Sequence, residues 1–497
     1  MADILVGREP ARGVALPGSF ARFSIRQAGV RTLAYGAMML LLLAPALWNG
    51  FAVIFPDTGG YLDRPILGTL GMGRSALYGA FLYLGVASSF WLNIVVQAMM
   101  MSWLIVLTLR AHGLGGRPWL AFGIVALLTV TTSMPWFTAQ LMPDILFPAA
   151  ALALHLLIFR DRMLGRFERW ALVAVIAFAM PSHMAAAGMC VAIVLAVALL
   201  SRIRFVALPP ARLTFAAGAV AAGLALCPVS NYAITGNFAL TPGGSSFLVG
   251  RLVEDGIVIR YLNDKCPDPA MRLCAFTRDF PTDADTWLWD GNSPFRKLKD
   301  FEGSAEENAI ALATLKAYPF MHLTAAARVA LTQMATFATE VSFANNEPTI
   351  AMFKEHFPSL FPRFIEARQQ TQTFNAALVN SVHVPVAAFA MACVGAALLL
   401  RRRLGLPPEF AGLAATVLLA LSANATICGV FAHAVDRYQS RLVWLAVFAT
   451  AMMAAWLVIN RRHGDAATGR RINPSAAIAV HFDACRAKLS GMLARWI

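Results

Sequence analysis

The sequence predicts an all-α polytopic membrane protein with about ten transmembrane helices and an α or α/β insertion domain on the periplasmic side. The chain has 497 residues, of which 58% are hydrophobic and only 14% charged, and its mean hydropathy is +0.62. A soluble protein of this length needs more charge to cover its surface. Apolar runs of about 20 residues, the length that crosses a bilayer, recur along the chain. Short arginine clusters separate alternate runs, which is typical of cytoplasmic loops.

The apolar runs form two groups. Seven predicted spans make an N-terminal module over 33–232, and three more make a C-terminal module over 380–460. The predicted spans are 33–55, 90–109, 118–135, 143–159, 168–182, 184–201, 213–232, 380–400, 409–430 and 441–460.

Arginine placement predicts the orientation. The segments after every second span, 110–117, 160–169, 202–212 and 401–408, each carry two or more arginines. The positive-inside rule therefore places these segments, the tail 1–32 and the tail 461–497 in the cytoplasm of a bacterial inner membrane. No small-residue cleavage site follows the arginine-rich start, so the first apolar run is interpreted as a retained helix. The net charge of +14 comes without a basic stripe interleaved with aromatics, which argues against nucleic-acid binding.

The long polar stretch 233–379 is then periplasmic and large enough for a small folded domain. Cys266 and Cys274 both lie in it, and an oxidising compartment favours a disulfide between them, the alternative being two free thiols. The apolar segment 323–339 carries Arg328 and is predicted to lie on, or dip into, the outer membrane surface. In the C-terminal tail, apolar residues at steps of three and four predict an interfacial amphipathic helix.

Ionisable residues gather at the outer ends of the predicted spans, where polar groups are costly and tend to be functional. Asp57 follows its span and faces the unfavourable end of the helix dipole, so capping explains it poorly. Asp144 opens a span, where a cap explains it as well as a function does. The remaining members of the group are His183 in "MPSHMA" and Asp436, Arg437 and Arg441 in "HAVDRYQSRLVW".

Five short motifs carry a family resemblance. "FPDTGGYL", "GRSALYGAFLYL" and "VVQAMM" resemble the start of the GT-C superfamily of membrane glycosyltransferases, which take sugars from polyprenyl-phosphate carriers. In that family an acid in the first external loop, here Asp57 in 56–89, precedes an R-x-x-L-Y motif, here Arg74 to Tyr78. The Pro143–Asp144 pair resembles a second acid, and "DRYQSRLVWL" resembles a late-helix motif whose basic residues hold donor phosphate. The adjacent acid pair of the protein O-mannosyltransferases is absent, and the resemblance assigns no particular family.

The resemblance implies an inverting transfer of a sugar from a polyprenyl-phosphate donor to a glycan, lipid or protein acceptor at the periplasmic face. Asp57 is the expected general base. Arg437, with Arg74 and Arg441 as further candidates, is expected to bind the donor phosphate through charge-assisted hydrogen bonds. Asp144 is expected to position the acceptor or to share a divalent cation, Mg or Mn, with Asp57. Substrate contacts are expected from His183, Tyr61, Tyr78 and Tyr438.

Other functions remain open from the sequence. A transporter or flippase of lipid-linked sugars would carry polar residues through the middle of several spans and an internal repeat with broken helices. A surface-polysaccharide polymerase or ligase would use arginines of the periplasmic stretch, namely Arg251, Arg260, Arg272 and Arg278. A non-catalytic membrane scaffold would not require Asp57.

Overall fold

The computed structural model of the protein describes residues 25–203, 208–240, 243–340, 346–371 and 375–468. Every regular element over these residues is a helix, so the described part of 233–379 is helical and not α/β. Most of the predicted cytoplasmic N-terminal tail, and the amphipathic helix predicted near the C-terminus, lie outside the described residues.

Eleven helices form the N-terminal part of the described chain. They are α1 (Ile25–Leu42), α2 (Ala44–Asn49), α3 (Thr58–Leu67), α4 (Ala76–Tyr83), α5 (Trp91–Ala111), α6 (Pro118–Thr131), α7 (Met134–Ala139), α8 (Leu146–Phe159), α9 (Arg166–Ser182), α10 (Met184–Ile203) and α11 (Thr214–Thr235). A helix lies at each of the seven predicted spans. The first one ends earlier than expected, because Pro45 lacks a backbone donor and starts the separate short helix α2.

Nine helices follow in the predicted periplasmic stretch, and three long helices close the chain. The nine are α12 (Gly244–Glu254), α13 (Ile257–Lys265), α14 (Ala284–Trp289), α15 (Pro294–Lys297), α16 (Ala305–Ala317), α17 (Pro319–Ala335), α18 (Glu347–His356), α19 (Phe361–Glu366) and α20 (Arg368–Thr371). The last three are α21 (Ala376–Leu404), α22 (Pro408–Phe431) and α23 (Asp436–Thr468).

Six of the described helices are long and apolar enough to cross a membrane, which makes this a multi-pass membrane protein. The six are α5, α10, α11, α21, α22 and the Asp436–Arg461 part of α23. Three apolar segments are shorter, namely Ala28–Leu42, Pro118–Thr131 and Pro143–Phe159.

Residues 233–379, expected as one domain, contribute to two hydrophobic cores. Helices α12 to α16 enclose a small core of their own around the fully buried Trp287 and Phe301. Helices α18 to α20 instead pack into the main core formed by the N-terminal and C-terminal helices, where Phe353 and Phe364 stack 4.5 Å apart. Cys266 and Cys274, next to the small core, are joined by a disulfide.

Helix α17 connects the two cores and runs antiparallel to α22. Met321 and Ala325 near its start pack against the small core. Further along, Val329 lies against Gly429 near the end of α22, and the sulfur of Met334 contacts Gln439, which bonds to Leu421 deeper in α22. The helix therefore runs beside α22 from the small core to the main core. Its predicted position on, or dipping into, the outer membrane surface stays a prediction.

Candidate functional site

A short backbone pairing brings the two predicted acids together. Val53 forms an isolated parallel bridge with Gln140, in which its N–H donates to the carbonyl of Ala139 at 3.0 Å and its carbonyl accepts from Leu141 at 2.9 Å. Asp57 and Asp144 each follow this pair by four residues, and each directly follows a proline. The two Pro-Asp turns therefore start in register and leave the bridge side by side.

Arg437, in the first turn of α23, links the two carboxylates. Its Nη1 donates to Asp57 Oδ2 and its Nε donates to Asp144 Oδ1, both at 3.2 Å. The guanidinium lies over the ring of Phe55, 4.1 Å from the centroid. Asp436, the other acid that could have paired with Arg437, accepts instead from the backbone N–H of Ala338 at 2.5 Å.

Arg441, one turn further along α23, binds Asp144 on the side away from the cavity. Its Nη1 donates to Asp144 Oδ1 at 3.1 Å, and its Nη2 donates to Asn424 Oδ1 on α22 at 2.9 Å. The guanidinium lies 3.4 Å from the centroid of Phe147. Asp144 and Arg441 are both fully buried, so this pair supports Arg437 and has no surface of its own for a substrate.

Arg74 completes the cluster from the connection between α3 and α4. Its Nη2 donates to Asp57 Oδ1 and its Nη1 to the carbonyl of Met72 at 2.8 Å, while the guanidinium lies over the ring of Trp289 at 5.2 Å. Burial opposes ionisation of Asp57, but the charges of Arg74 and Arg437 outweigh it and hold the pKa of Asp57 below its ordinary value. Asp57 is therefore a carboxylate with a guanidinium at each oxygen.

A cavity of about 830 Å³ opens beside this cluster and has two unlike ends. The polar end is lined by Asp57, Tyr61, Arg74, His183, Arg437 and Tyr438. The other end is apolar and lies among α10, α11 and α22, where it is lined by Val191, Ala192, Leu195, Leu224, Ile427 and Phe431. Asp144 and Arg441 are not among the lining residues. Asp285, Glu340 and His433 also line the cavity. The cavity thus offers two guanidiniums beside Asp57 at one end and hydrocarbon at the other.

His183, between α9 and α10, lines the cavity as a neutral imidazole. Its Nδ1 accepts from the backbone N–H of Ala185 at 3.2 Å, and its ring packs on the edge of Phe147. Burial, together with the charge of Arg441, lowers the pKa of His183 to about 3. The proton of the neutral ring then sits on Nε2, so His183 can donate a hydrogen bond but is not placed to accept a proton there.

The three predicted tyrosines differ in position. Tyr61 and Tyr438 line the cavity. Tyr78 is fully buried and donates its hydroxyl to Gln97 Oε1 at 3.1 Å, with its ring packed edge-on against Tyr61 at 5.3 Å. Tyr78 therefore supports Tyr61 and does not itself reach the cavity.

The surroundings of the two carboxylates fit an anion and do not fit a divalent cation. Three guanidinium groups surround two acids, and those at Asp57 already occupy both of its oxygens. Over the described residues, no group of three or more histidine, cysteine, aspartate or glutamate side chains is arranged to hold a metal. An excess of guanidinium groups is the arrangement that binds phosphate.

Several contributors had no role in the sequence-based prediction. Phe55 and Phe147 lie under the two buried guanidiniums, Asn424 orients Arg441, and Trp289 contacts Arg74. One signal in the sequence bears on the pairing of the acids, which is the repeated Pro-Asp at equal distance from Val53 and Gln140. In "TWLWDG", Trp287 is the buried core residue, whereas Trp289 lines the cavity.

Comparisons with protein-family models, with curated proteins and with solved structures found no match. Fold and site together define the class as a multi-pass helical membrane protein, with a guanidinium–carboxylate cluster at the polar end of a half-apolar cavity.

Proposed function

We propose that the protein is a membrane glycosyltransferase of the GT-C type, which moves a sugar from a polyprenyl-phosphate donor to a cell-envelope glycan, lipid or protein. One observation carries the proposal. A single cavity joins the guanidiniums of Arg74 and Arg437 and the carboxylate of Asp57 to an apolar channel between membrane-spanning helices. A polyprenyl-phosphate sugar has the same three parts, namely a hydrocarbon chain, a phosphate and a sugar whose anomeric carbon is attacked.

The proposed topology has ten spans, with α1, α6, α8 and α9 crossing in addition to the six long helices. Both termini are cytoplasmic and the site is periplasmic, in a bacterial inner membrane. Ion pairs at the arginine-rich ends support this arrangement, since Arg160 pairs with Glu409 at the start of α22. Asn424, beside the site, lies about four turns further along that helix, roughly 22 Å away. That distance supports a site in the outer part of a hydrocarbon layer roughly 30 Å thick.

Donor binding follows from the two ends of the cavity. The prenyl chain enters the apolar end among α10, α11 and α22, where burial of hydrocarbon stabilises it. Its phosphate then meets the guanidiniums of Arg437 and Arg74, which donate charge-assisted hydrogen bonds in a partly dehydrated setting. Asp144 and Arg441 act on this step through Arg437, whose position they hold.

Asp57 is the proposed general base, and donor binding is what makes it basic. In the free protein, two guanidiniums depress its pKa, which makes a weak base. A bound phosphate draws the charge of Arg74 and Arg437 and brings negative charge close to Asp57, so the pKa of Asp57 rises. The acceptor hydroxyl gives its proton to Asp57 as its oxygen bonds to the anomeric carbon. The bond from that carbon to the phosphate oxygen breaks on the opposite face, and polyprenyl phosphate leaves with the electron pair.

The neutral imidazole of His183 and the hydroxyl of Tyr61 complete the polar end as hydrogen-bond donors to sugar or phosphate. His183 is a poorer candidate for the base than Asp57, because its Nδ1 already accepts from Ala185 and its Nε2 carries the proton.

The test is transfer from a polyprenyl-phosphate sugar by purified protein in lipid, with cell-envelope extract as the source of acceptor. We expect Asp57→Asn to lower transfer by a factor of roughly 10² to 10⁴, the usual contribution of a general base, while donor binding persists. Asp63→Asn is the matched control, because Asp63 lies in α3 directly after Asp57 but does not line the cavity. Unchanged transfer by Asp57→Asn would assign the base to another group. Native protein that moves the labelled lipid across the membrane without transferring sugar would favour a flippase.

A further inference from the structure

The segment 346–371 packs on the loop that carries Asp57, about 300 residues earlier in the chain. Helix α18 lies against α3, which begins directly after Asp57. Phe353 and Phe364 both contact the ring of Phe51, with centroids 6.4 and 6.3 Å away. The segment is therefore anchored in the main core on the strand-like stretch that leads to Asp57.

Two polar side chains of this segment bind the backbone on either side of Phe55. Thr349 donates its hydroxyl to the carbonyl of Pro56 at 2.6 Å. Gln369 accepts from the N–H of Ile54 and donates to the carbonyl of the same residue, both at 2.8 Å. Thr349 and Gln369 are buried, so these bonds are protected from water. The backbone of residues 54 and 56 is thus fixed directly before the acid.

The fit between the segment and the loop is close. A Cβ at Gly59 would lie 2.8 Å from Oγ1 of Thr349 and 3.0 Å from its Cα, so only glycine allows this approach. Asp57 stands at the N-cap of α3, yet its side chain makes no cap bond to that helix. The position of the Asp57 carboxylate is therefore set by the backbone before α3 and by the arginines, and not by a bond within α3.

We propose that residues 346–371 form a clasp that positions Asp57 against Arg437, with Thr349 and Gln369 as the positioning residues. The proposal rests on the function proposed above and adds a part of the chain that touches no substrate. A base must lie within hydrogen-bond reach of the proton that it removes, and a misplacement of about 1 Å can cost roughly 100-fold in rate.

The experiment compares Thr349→Val, which keeps the shape and removes the hydroxyl, with Thr349→Ser, which keeps the hydroxyl. Thr324→Val is the matched control, because the exposed hydroxyl of Thr324 bonds only within its own helix. We expect Thr349→Val to speed hydrogen exchange over residues 51–62 and to lower kcat about 10-fold to 100-fold with the donor KM unchanged. Thr349→Ser should restore both, and Thr324→Val should change neither.

The two readouts separate this proposal from the proposed function. Unchanged exchange over 51–62 in Thr349→Val would overturn the clasp, whatever the protein's activity is. Faster exchange with an unchanged kcat would show a structural contact that does not position the base. If the native protein transfers no sugar from any polyprenyl-phosphate donor, the proposed function fails, while the exchange data still decide whether 346–371 holds the turn.

Discussion

Replacing Arg437 and Arg441 one at a time should separate phosphate binding from structural support. Both guanidiniums donate to the same oxygen of the fully buried Asp144, at 3.2 and 3.1 Å. Only Arg437 also reaches Asp57 and lines the cavity. Arg437→Gln and Arg441→Gln each remove one buried ion pair to Asp144, and only Arg437→Gln also removes the ion pair to Asp57 at the cavity.

The magnitudes follow from these contacts. Removing one partner of a buried pair costs about 3–5 kcal/mol. We expect the lower end, about 3 kcal/mol, for each variant, because Asp144 keeps its other arginine. A charge-assisted hydrogen bond to phosphate contributes about 1.5–3 kcal/mol. Loss of that bond weakens binding roughly 10-fold to 150-fold in Arg437→Gln. We expect a smaller loss in Arg441→Gln, because Arg441 acts only by holding Arg437 in place through Asp144.

The assay measures binding of a short-chain polyprenyl phosphate and thermal unfolding for the native protein and both variants. The prenyl alcohol of the same chain length is the control ligand, since it fills the apolar end without a phosphate. Both variants should unfold at similarly lowered temperatures and bind the alcohol like the native protein. Equal weakening of phosphate binding in the two variants, or weakening of alcohol binding in Arg437→Gln, would refute the assignment of Arg437 to the phosphate.

Three further predictions use the same geometry. With a phosphodiester donor, kcat/KM should show no inflection between about pH 5 and pH 8. The reason is that the pKa of Asp57 lies below its ordinary value and that His183 stays neutral above about pH 3. An inflection near pH 6.5 would contradict the neutral histidine. Ala192→Trp should fill the apolar end and raise the KM for long-chain donors about tenfold, measured against a donor with a truncated chain. Gly79→Ala should unfold at a clearly lower temperature than Gly123→Ala, since its Cβ would meet the carbonyl oxygen of Tyr61 at 2.1 Å and Gly123 has nothing within 4 Å.

The sequence predicted the helices and the meeting of distant ionisable groups, for a physical reason. An apolar run of spanning length is typical of a helix that is buried in hydrocarbon, and a helix occurs at every predicted span. Charged side chains near the ends of apolar helices are costly alone and are stabilised by pairing. That rule was sufficient to group Asp57, Asp144, Arg437 and Arg441, although these residues come from three distant regions.

The sequence could not predict which residues of the cluster face the cavity and which support them, because this depends on how deeply each side chain is buried and not on its residue type. Asp57 and Asp144 both follow a proline after an apolar run, yet only Asp57 faces the cavity. Tyr78 belongs to the family-like motif but is buried behind Tyr61. The sequence predicts the segment 346–371 as a continuation of the periplasmic stretch. Its composition gives no sign of the contacts that Thr349 and Gln369 make with residues 54 and 56.

If donor phosphate raises the pKa of Asp57, then donor binding and proton binding must be linked. The pKa of Asp57 in the free protein is depressed by Arg74 and Arg437, and a phosphate that engages both arginines removes that effect. A ligand that raises the pKa of a carboxyl binds more tightly as the pH falls through the pKa of the complex, by up to about tenfold per pH unit.

A polyprenyl phosphodiester suits the measurement, because its single charge does not titrate between about pH 4 and pH 8. Its Kd should fall with decreasing pH in the native protein and stay constant in Asp57→Asn. A Kd that is independent of pH in the native protein would mean that the phosphate leaves the arginines on Asp57, and an acid so held could not serve as the base.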